Sequence, residues 1–185
     1  MNTTQYLAEI LSELNGSVEG ISDAEAETLI NEILEARKVF VAGAGRSGLM
    51  AKSFAMRMMH MGIDSYVLGE TTTPNFEQED LLIIGSGSGE TKSLISIAEK
   101  AKSIGGKIAA VTISPESTIG NLADITVKMP GSPKEQSGSA RVTIQPMGSL
   151  FEQSLLLFYD AVILRFMEKK GLTTDNMFSR HANLE

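Results

Sequence analysis

Two segments of the chain repeat one pattern, in which an apolar run ends in glycines and small hydroxyl residues and then passes into a helical pattern. The first spans residues 38–48 (KVFVAGAGRSG) and the second spans residues 80–91 (DLLIIGSGSGET). Each pattern predicts a buried strand, a tight loop and a helix whose first backbone N–H groups favour an anion. Two such loops on one sheet predict a phosphate-binding site.

The order of apolar and polar segments predicts an α/β protein. Two amphipathic helices come first, and strands then alternate with helices along most of the chain. This alternation predicts a flavodoxin-like fold, with a single doubly wound, mostly parallel five-stranded sheet and helices on both faces. The predicted strands lie near residues 39–42, 65–68, 81–84, 107–113 and 125–129, and the predicted helices near 3–15, 22–34, 47–61, 91–104 and 150–170.

The length of 185 residues fits one domain. We expect an N-terminal helical segment over about 1–37, an α/β core over about 38–171 and a tail over about 172–185. The polar segment 130–146, rich in Gly and Pro, is typical of an active-site loop or a mobile segment. The helix near 150–170 carries apolar residues on more than one face, which predicts contact with another subunit.

Two capping boxes are predicted from S-x-x-E spacing, one between Ser22 and Glu25 and one between Ser149 and Glu152. The second would give Glu152 a structural role at the start of the last helix. That role is compatible with a catalytic one, because a helix N-terminus that follows a loop can also border a cleft.

Composition excludes several classes of function. The formal net charge of −7 and the lack of long Lys/Arg runs argue against nucleic acid as the main partner. An apolar run of membrane-spanning length and a signal peptide are both missing, so we expect no membrane association and a cytoplasmic location. The absence of cysteine excludes disulfides, thiolate catalysis and Cys-based zinc sites.

The first loop also matches the dinucleotide-binding pattern G-x-G-x-x-G at Gly43, Gly45 and Gly48. Glu70 follows the next predicted strand, where such folds place the carboxylate that binds the ribose. Against dinucleotide binding, the chain has no room for a substrate domain, and the second loop has no role in it. Phosphate binding by both loops is therefore the leading interpretation.

The second loop resembles the S-x-S-G-x-T phosphate loop of the sugar isomerase (SIS) family, whose members bind phosphosugars on a doubly wound sheet. The segments AGAGRSGLM at 42–50, QPMGSLFE at 145–152 and HANLE at 181–185 are similar to the members that act on hexulose phosphates. This resemblance implies interconversion of D-arabino-3-hexulose 6-phosphate and fructose 6-phosphate in the ribulose monophosphate route of formaldehyde fixation. It also implies a homotetramer with sites at subunit interfaces and a 3-hexulose-6-phosphate synthase as functional partner.

The resemblance and the reaction together suggest a set of site residues. The implied phosphosugar ligands are Arg46, Ser47, Ser86, Gly87, Ser88 and Thr91. Moving a carbonyl between C3 and C2 passes through a 2,3-enediol, which needs a carboxylate near both carbons and a donor for the enediolate oxygens. No metal or organic cofactor is required by this chemistry.

Glu152 is the predicted base by analogy with the family, in which a glutamate on a helix usually has this role, and Glu90 is the other candidate. His181 in the tail and His60 near a helix end are equal candidates for the proton donor or polarising group. Two other functions stay open: a different phosphosugar isomerase of the family, and a non-catalytic module that senses phosphosugars.

Overall fold

A central parallel sheet organises the protein, as seen in a computed structural model that describes residues 1–131 and 143–184. The strands are β1 (Val39–Gly43), β2 (Ser65–Val67), β3 (Leu81–Gly85), β4 (Lys107–Thr112) and β5 (Ile125–Lys128). The helices are α1 (Thr3–Ser17), α2 (Asp23–Glu35), α3 (Arg46–His60), α4 (Lys92–Ile104), α5 (Thr118–Leu122), α6 (Ser149–Lys170) and α7 (Thr174–Phe178), with a 3₁₀ turn at Val18–Gly20.

The sheet has the strand order β2-β1-β3-β4-β5, and the paired strands are parallel. This arrangement confirms the predicted five-stranded, doubly wound sheet. The strand order reverses between β1 and β3, which are neighbours with Gly43 opposite Gly85. In sheets of this kind, ligands bind outside the carboxyl ends of the strands at such a reversal.

Alternating side chains of the buried strands feed two separate cores, one on each face of the sheet. Val39 and Val41 point to the face covered by α2, α3 and α6. Phe40 and Ala42 point to the opposite face, which α4 and α5 cover. The prediction of helices on both faces is therefore confirmed, and both faces of β1 are apolar because both are buried.

Helices α3 and α6 lie side by side and run in the same direction. At their N-terminal ends, Arg46 of α3 contacts Glu152 of α6. In the middle, the rings of Phe54 and Tyr159 stack with centroids 4.2 Å apart. At the C-terminal ends, His60 and Met167 line one cavity. The first turns of both helices therefore lie together at the carboxyl edge of the sheet.

The capping box predicted at the start of α2 is only half correct. The Ser22 hydroxyl accepts a hydrogen bond from the Glu25 N–H at 3.4 Å, as expected of an N-cap residue. The Glu25 carboxylate instead accepts a hydrogen bond from the Lys128 N–H at 2.8 Å. Glu25 thus satisfies a backbone donor of the edge strand β5 and connects α2 to the sheet.

Two short helices lie outside the main alternation of strands and helices. A short helix, α5, occupies the segment between β4 and β5, and α7 gives the tail local structure. Residues 132–142 of the predicted loop at 130–146 lie outside the described residues. Of the helices in the described ranges, none combines the length and apolar character needed to cross a bilayer.

Candidate active site

The two glycine loops lie next to each other where the strand order reverses. One follows β1 and the other follows β3, and these strands pair along their whole length. The prediction that both loops lie on one sheet is confirmed, and the two loops share one edge of it. Backbone N–H groups from the first turns of α3 and α4 converge on this edge, which is an arrangement suited to an anion.

The first loop brings α3 into direct contact with β1. A Cβ atom on Gly48 would lie 2.7 Å from the Gly43 carbonyl oxygen, so only glycine fits there. Gly45, the N-cap residue of α3, has φ +58°, which glycine adopts without steric cost. Ser47 follows in the first turn of α3, and its side chain is buried. The loop therefore holds its hydroxyl group close to the strand end.

The second loop is fixed by its own serines. The Ser86 hydroxyl accepts a hydrogen bond from the Gly89 N–H at 3.2 Å, and the Ser88 hydroxyl accepts one from the Glu90 N–H at 3.2 Å. Within residues 1–131 and 143–184, neither serine hydroxyl donates a hydrogen bond. Thr91 is the N-cap residue of α4, and its carbonyl accepts hydrogen bonds from the Leu94 and Ile95 N–H groups.

Gly87 places the second loop against the start of α6. A Cβ atom on Gly87 would lie 3.2 Å from the Phe151 ring, the neighbour of Glu152. The Gly87 carbonyl accepts hydrogen bonds from the Thr112 hydroxyl and the Ile113 N–H, both at 3.2 Å, and so faces β4. The second loop and the first turn of α6 therefore border the same space.

An ion pair joins the first loop to α6. The Arg46 Nε atom lies 3.2 Å from the Glu152 Oε2 atom, and the Arg46 Nη1 atom donates a hydrogen bond to the Ser149 hydroxyl at 2.9 Å. The side chain of Glu152 is 7% exposed and that of Arg46 is 54% exposed. The pair thus presents a shielded proton acceptor beside a permanently charged donor.

The capping box predicted for Ser149 and Glu152 is wrong. The N-cap residue of α6 is Gly148, and Ser149 is already the first helical residue. The Ser149 N–H donates to the Pro146 carbonyl at 3.2 Å, and its hydroxyl is held by Arg46. Both side chains of the predicted box therefore face the first loop, and the sequence pattern alone did not reveal this contact.

Glu90 has a structural partner. Its carboxylate accepts hydrogen bonds from the Thr118 N–H at 2.7 Å and the Thr118 hydroxyl at 2.8 Å. These bonds hold the pKa of Glu90 below its ordinary value. Glu90 therefore connects the second loop to the start of α5. Glu70, the carboxylate considered for a ribose, forms an ion pair with Lys52 at 2.5 Å.

The two histidines lie together at the far end of α3. The rings of His60 and His181 stack with centroids 5.5 Å apart and line one cavity of about 440 Å³ with Arg57 and Phe178. Burial lowers the pKa of His60, and the nearby charges of Arg57 and His181 lower it further. The length of α3 puts this cavity about 20 Å from Arg46. Within one chain, the histidines do not reach the glycine loops.

Metal ligands are not gathered at either place. In residues 1–131 and 143–184, no group of three or more His, Asp or Glu side chains could hold a metal ion.

Comparisons with known proteins agree with this architecture. The family model of the SIS domain matches residues 32–157. The chain is 63% identical over 185 residues to the 3-hexulose-6-phosphate isomerase of Bacillus subtilis, with all of both chains covered. It is 39% identical over 182 residues to the protein of the same name from Mycobacterium gastri, covering 98% of this chain and 91% of the relative.

A solved structure gives the same result. A crystal structure of a Methanococcus jannaschii protein, for which a 3-hexulose-6-phosphate isomerase function was inferred, superposes with a TM-score of 0.85. That protein is 35% identical to this chain, and the match covers 98% of this chain and 99% of the other. The fold, the two loops and these matches agree, and the chain belongs to the SIS domain family.

Proposed function

We propose that this protein is an isomerase that interconverts D-arabino-3-hexulose 6-phosphate and fructose 6-phosphate. The observation that carries the proposal is the Arg46–Glu152 pair beside two hydroxyl-bearing glycine loops at the switch point of the sheet. Full-length relatives that carry the name 3-hexulose-6-phosphate isomerase support the choice of substrate. Residues Ser47, Ser86, Gly87, Ser88 and Thr91 would bind the phosphosugar together with Arg46.

The phosphate would be bound by local dipoles. The serine hydroxyls of the second loop and the free N–H groups at the starts of α3 and α4 supply donors at the carboxyl edge of the sheet. Since the whole chain has a net charge of −7, such donors would offset its long-range repulsion of the ligand. Binding energy from the remote phosphate would then fix the position of C2 and C3 relative to the base.

Glu152 would transfer the proton between the two carbons. In the direction of fructose 6-phosphate, its carboxylate takes the proton from C2 and leaves a 2,3-enediolate. The same carboxyl group then returns the proton to C3 while a proton moves from O2 to O3, so the carbonyl forms at C2, the base is regenerated and no redox partner is needed. The Arg46 guanidinium, 3.2 Å from the Glu152 carboxylate, is placed to stabilise the negative oxygens of the enediolate.

A histidine would come from another copy of the chain. His60 and His181 share a cavity about 20 Å from Arg46, which is too far for either to reach the base of its own chain. We infer that a homotetramer brings the histidine end of one chain to the glycine loops of another. Either His60 or His181 would then donate a proton to, or polarise, the sugar oxygens.

The chemistry of the two sugars indicates the direction of the reaction. Fructose 6-phosphate can close a five-membered ring through O5, which removes its free ketone, whereas the 3-ketose cannot close such a ring through its phosphorylated O6. The reaction would therefore run towards fructose 6-phosphate. Its substrate would come from a 3-hexulose-6-phosphate synthase that fixes formaldehyde, in the cytoplasm, where phosphosugars are made and retained.

The proposal is tested by the carbon at which the protein exchanges hydrogen. Incubation of fructose 6-phosphate with the protein in D2O, followed by NMR, should place deuterium at C3 over many turnovers, because the base acts between C2 and C3. Deuterium at C1 would show an aldose–ketose isomerase instead. Binding of fructose 6-phosphate without exchange at either carbon would favour a sensing module.

A further inference from the structure

One carboxylate of α1 binds the segment that leads into α6. The Glu13 side chain accepts hydrogen bonds from the Thr143 hydroxyl at 2.6 Å, the Ile144 N–H at 2.6 Å and the Gln145 side-chain amide at 2.9 Å. The donors come from three consecutive residues, and Thr143 and Gln145 are themselves buried. Because Glu13 lies far from residues 143–145 in sequence, these hydrogen bonds hold that segment in place against α1.

The segment continues directly into the candidate site. Pro146, Met147 and Gly148 connect Gln145 to the first helical residue of α6, Ser149. Met147 has φ +55°, a conformation that costs a non-glycine residue energy, and its side chain is 74% exposed, so packing does not enforce it. Such a conformation persists when the chain is held on both sides of it.

Two sets of contacts hold this turn. On the α6 side, the Ser149 N–H donates to the Pro146 carbonyl at 3.2 Å and the Glu152 N–H donates to the Gly148 carbonyl at 2.9 Å. On the other side, the described contacts are those made to Glu13, together with the Gln145 N–H bond to the Thr143 hydroxyl at 3.0 Å. Glu13 is therefore the long-range anchor of the turn.

We propose that Glu13 is a positioning residue for the isomerase reaction, acting through Thr143, Ile144 and Gln145 to set the start of α6 and hence the carboxylate of Glu152. This role rests on the proposed function, because it presumes that Glu152 is the base. Glu13 itself lies on α1 and acts only through the segment that it binds.

The charge of Glu13 matters for this role. Burial alone would raise the pKa of Glu13, but the hydrogen bonds from Thr143, Gln145 and Ile144 hold it below its ordinary value. A carboxylate only accepts hydrogen bonds, and all three neighbours donate. A glutamine at position 13 would keep the volume of the side chain. It would, however, place an N–H donor where these three neighbours need an acceptor.

The test compares Glu13→Gln with Glu9→Gln, which changes an exposed glutamate one turn earlier on the same helix. In Glu13→Gln we expect kcat to fall at least tenfold, since small displacements of a base are costly. The KM for the phosphosugar should change less than twofold, because the phosphate loops follow β1 and β3. Amide hydrogen exchange over residues 144–152 should accelerate in Glu13→Gln and stay unchanged in Glu9→Gln.

A second variant approaches the same contact from its other side. Thr143→Val keeps the shape of the threonine and removes one of the three donors to Glu13 together with the acceptor of the Gln145 N–H, so kcat should fall about threefold to tenfold with KM again unchanged. If Glu13→Gln does not fold, the kcat of Thr143→Val tests the positioning role of Glu13 instead.

The possible outcomes separate the positioning role of Glu13 from the proposed function. Turnover by the unmodified protein together with an unchanged kcat in Glu13→Gln, or in a folded Thr143→Val if Glu13→Gln is lost, would overturn the positioning role alone. The same holds if KM rises in step with the loss of kcat, or if amide exchange over 144–152 is unaltered. Absence of turnover by the unmodified protein would overturn the proposed function and this role with it.

Discussion

Replacement of the two serines of the second loop, Ser86→Ala with Ser88→Ala, tests how the protein would bind a phosphate. Each hydroxyl oxygen already accepts a hydrogen bond from a loop N–H, from Gly89 and from Glu90 respectively. Each serine therefore has one proton left to donate, and the double variant removes two hydrogen bonds to a charged ligand. Hydrogen bonds of this kind contribute about 1.5–3 kcal/mol each.

The expected loss in binding free energy is therefore about 3–6 kcal/mol. At about 1.4 kcal/mol for each factor of ten, the Kd of fructose 6-phosphate should rise about 10²- to 10⁴-fold. Titration calorimetry at fixed ionic strength measures this change directly. Fructose without phosphate serves as the reference ligand, because its binding does not use these hydroxyls.

Two measurements keep the result interpretable. Ser96→Ala removes an exposed hydroxyl from α4, farther along the same helix, and should leave the Kd unchanged. The double variant also frees the buried N–H of Gly89, so its Tm should fall by a few degrees, and the titration is made well below that Tm. A folded double variant whose Kd rises less than threefold would refute phosphate binding by these hydroxyls.

Three further predictions concern the base, the buried histidine and the first loop. Glu152→Gln should lower kcat about 10²- to 10⁴-fold, measured by turnover, while the Kd of fructose 6-phosphate changes much less; similar losses in both would contradict its role as base. Because burial lowers the pKa of His60, the unfolded chain binds a proton there below about pH 6.5 and the folded chain resists it. The Tm should therefore fall as the pH drops from 7 to 5.5, and His60→Gln should flatten this decline; an equally steep decline in the variant would count against it. Gly48→Ala places a Cβ 2.7 Å from a backbone oxygen, which should cost about 1–3 kcal/mol in thermal unfolding, whereas Gly16→Ala, with open space around it, should not destabilise.

The sheet and both glycine loops follow from local sequence. Apolar runs such as residues 81–85 are buried on both faces, and burial of that kind leaves a continuous signal in the sequence. The glycine that ends the first run, Gly43, is required by close backbone approach, because a Cβ atom there would lie 2.8 Å from the Gly48 backbone nitrogen. Short-range constraints of this type are visible in the sequence without knowledge of the partner residues, so the positions of strands and loops along the chain could be predicted together.

The contacts of individual acidic side chains could not be predicted in the same way. Glu25 and Glu152 both have the spacing of a capping box, yet Glu25 accepts from the Lys128 backbone and Glu152 pairs with Arg46. Each of these partners lies far away in sequence. A carboxylate at a helix start has two competing uses, and only the packing of α2 on β5 and of α3 on α6 decides between them.

The histidines show a third kind of limit. From the sequence, His60 on a helix and His181 in the tail are two separate candidates for the proton donor or polarising group. In the fold, the tail returns to the end of α3, and their rings stack 5.5 Å apart. Nothing in the spacing of two residues 121 positions apart indicates such a contact. The sequence around His181 does not predict this stacking, because the position of the tail depends on where α6 ends.

Helix α3 carries different chemistry at its two ends, with a guanidinium at the first and an imidazole at the last. A helix of this length keeps its two ends apart. An active site that uses both the guanidinium and the imidazole must therefore take one of them from a second copy of the chain. The activity per chain would then depend on the protein concentration, because the active site would form only in the assembly. Specific activity would decline on dilution below the dissociation constant of the assembly and return on reconcentration.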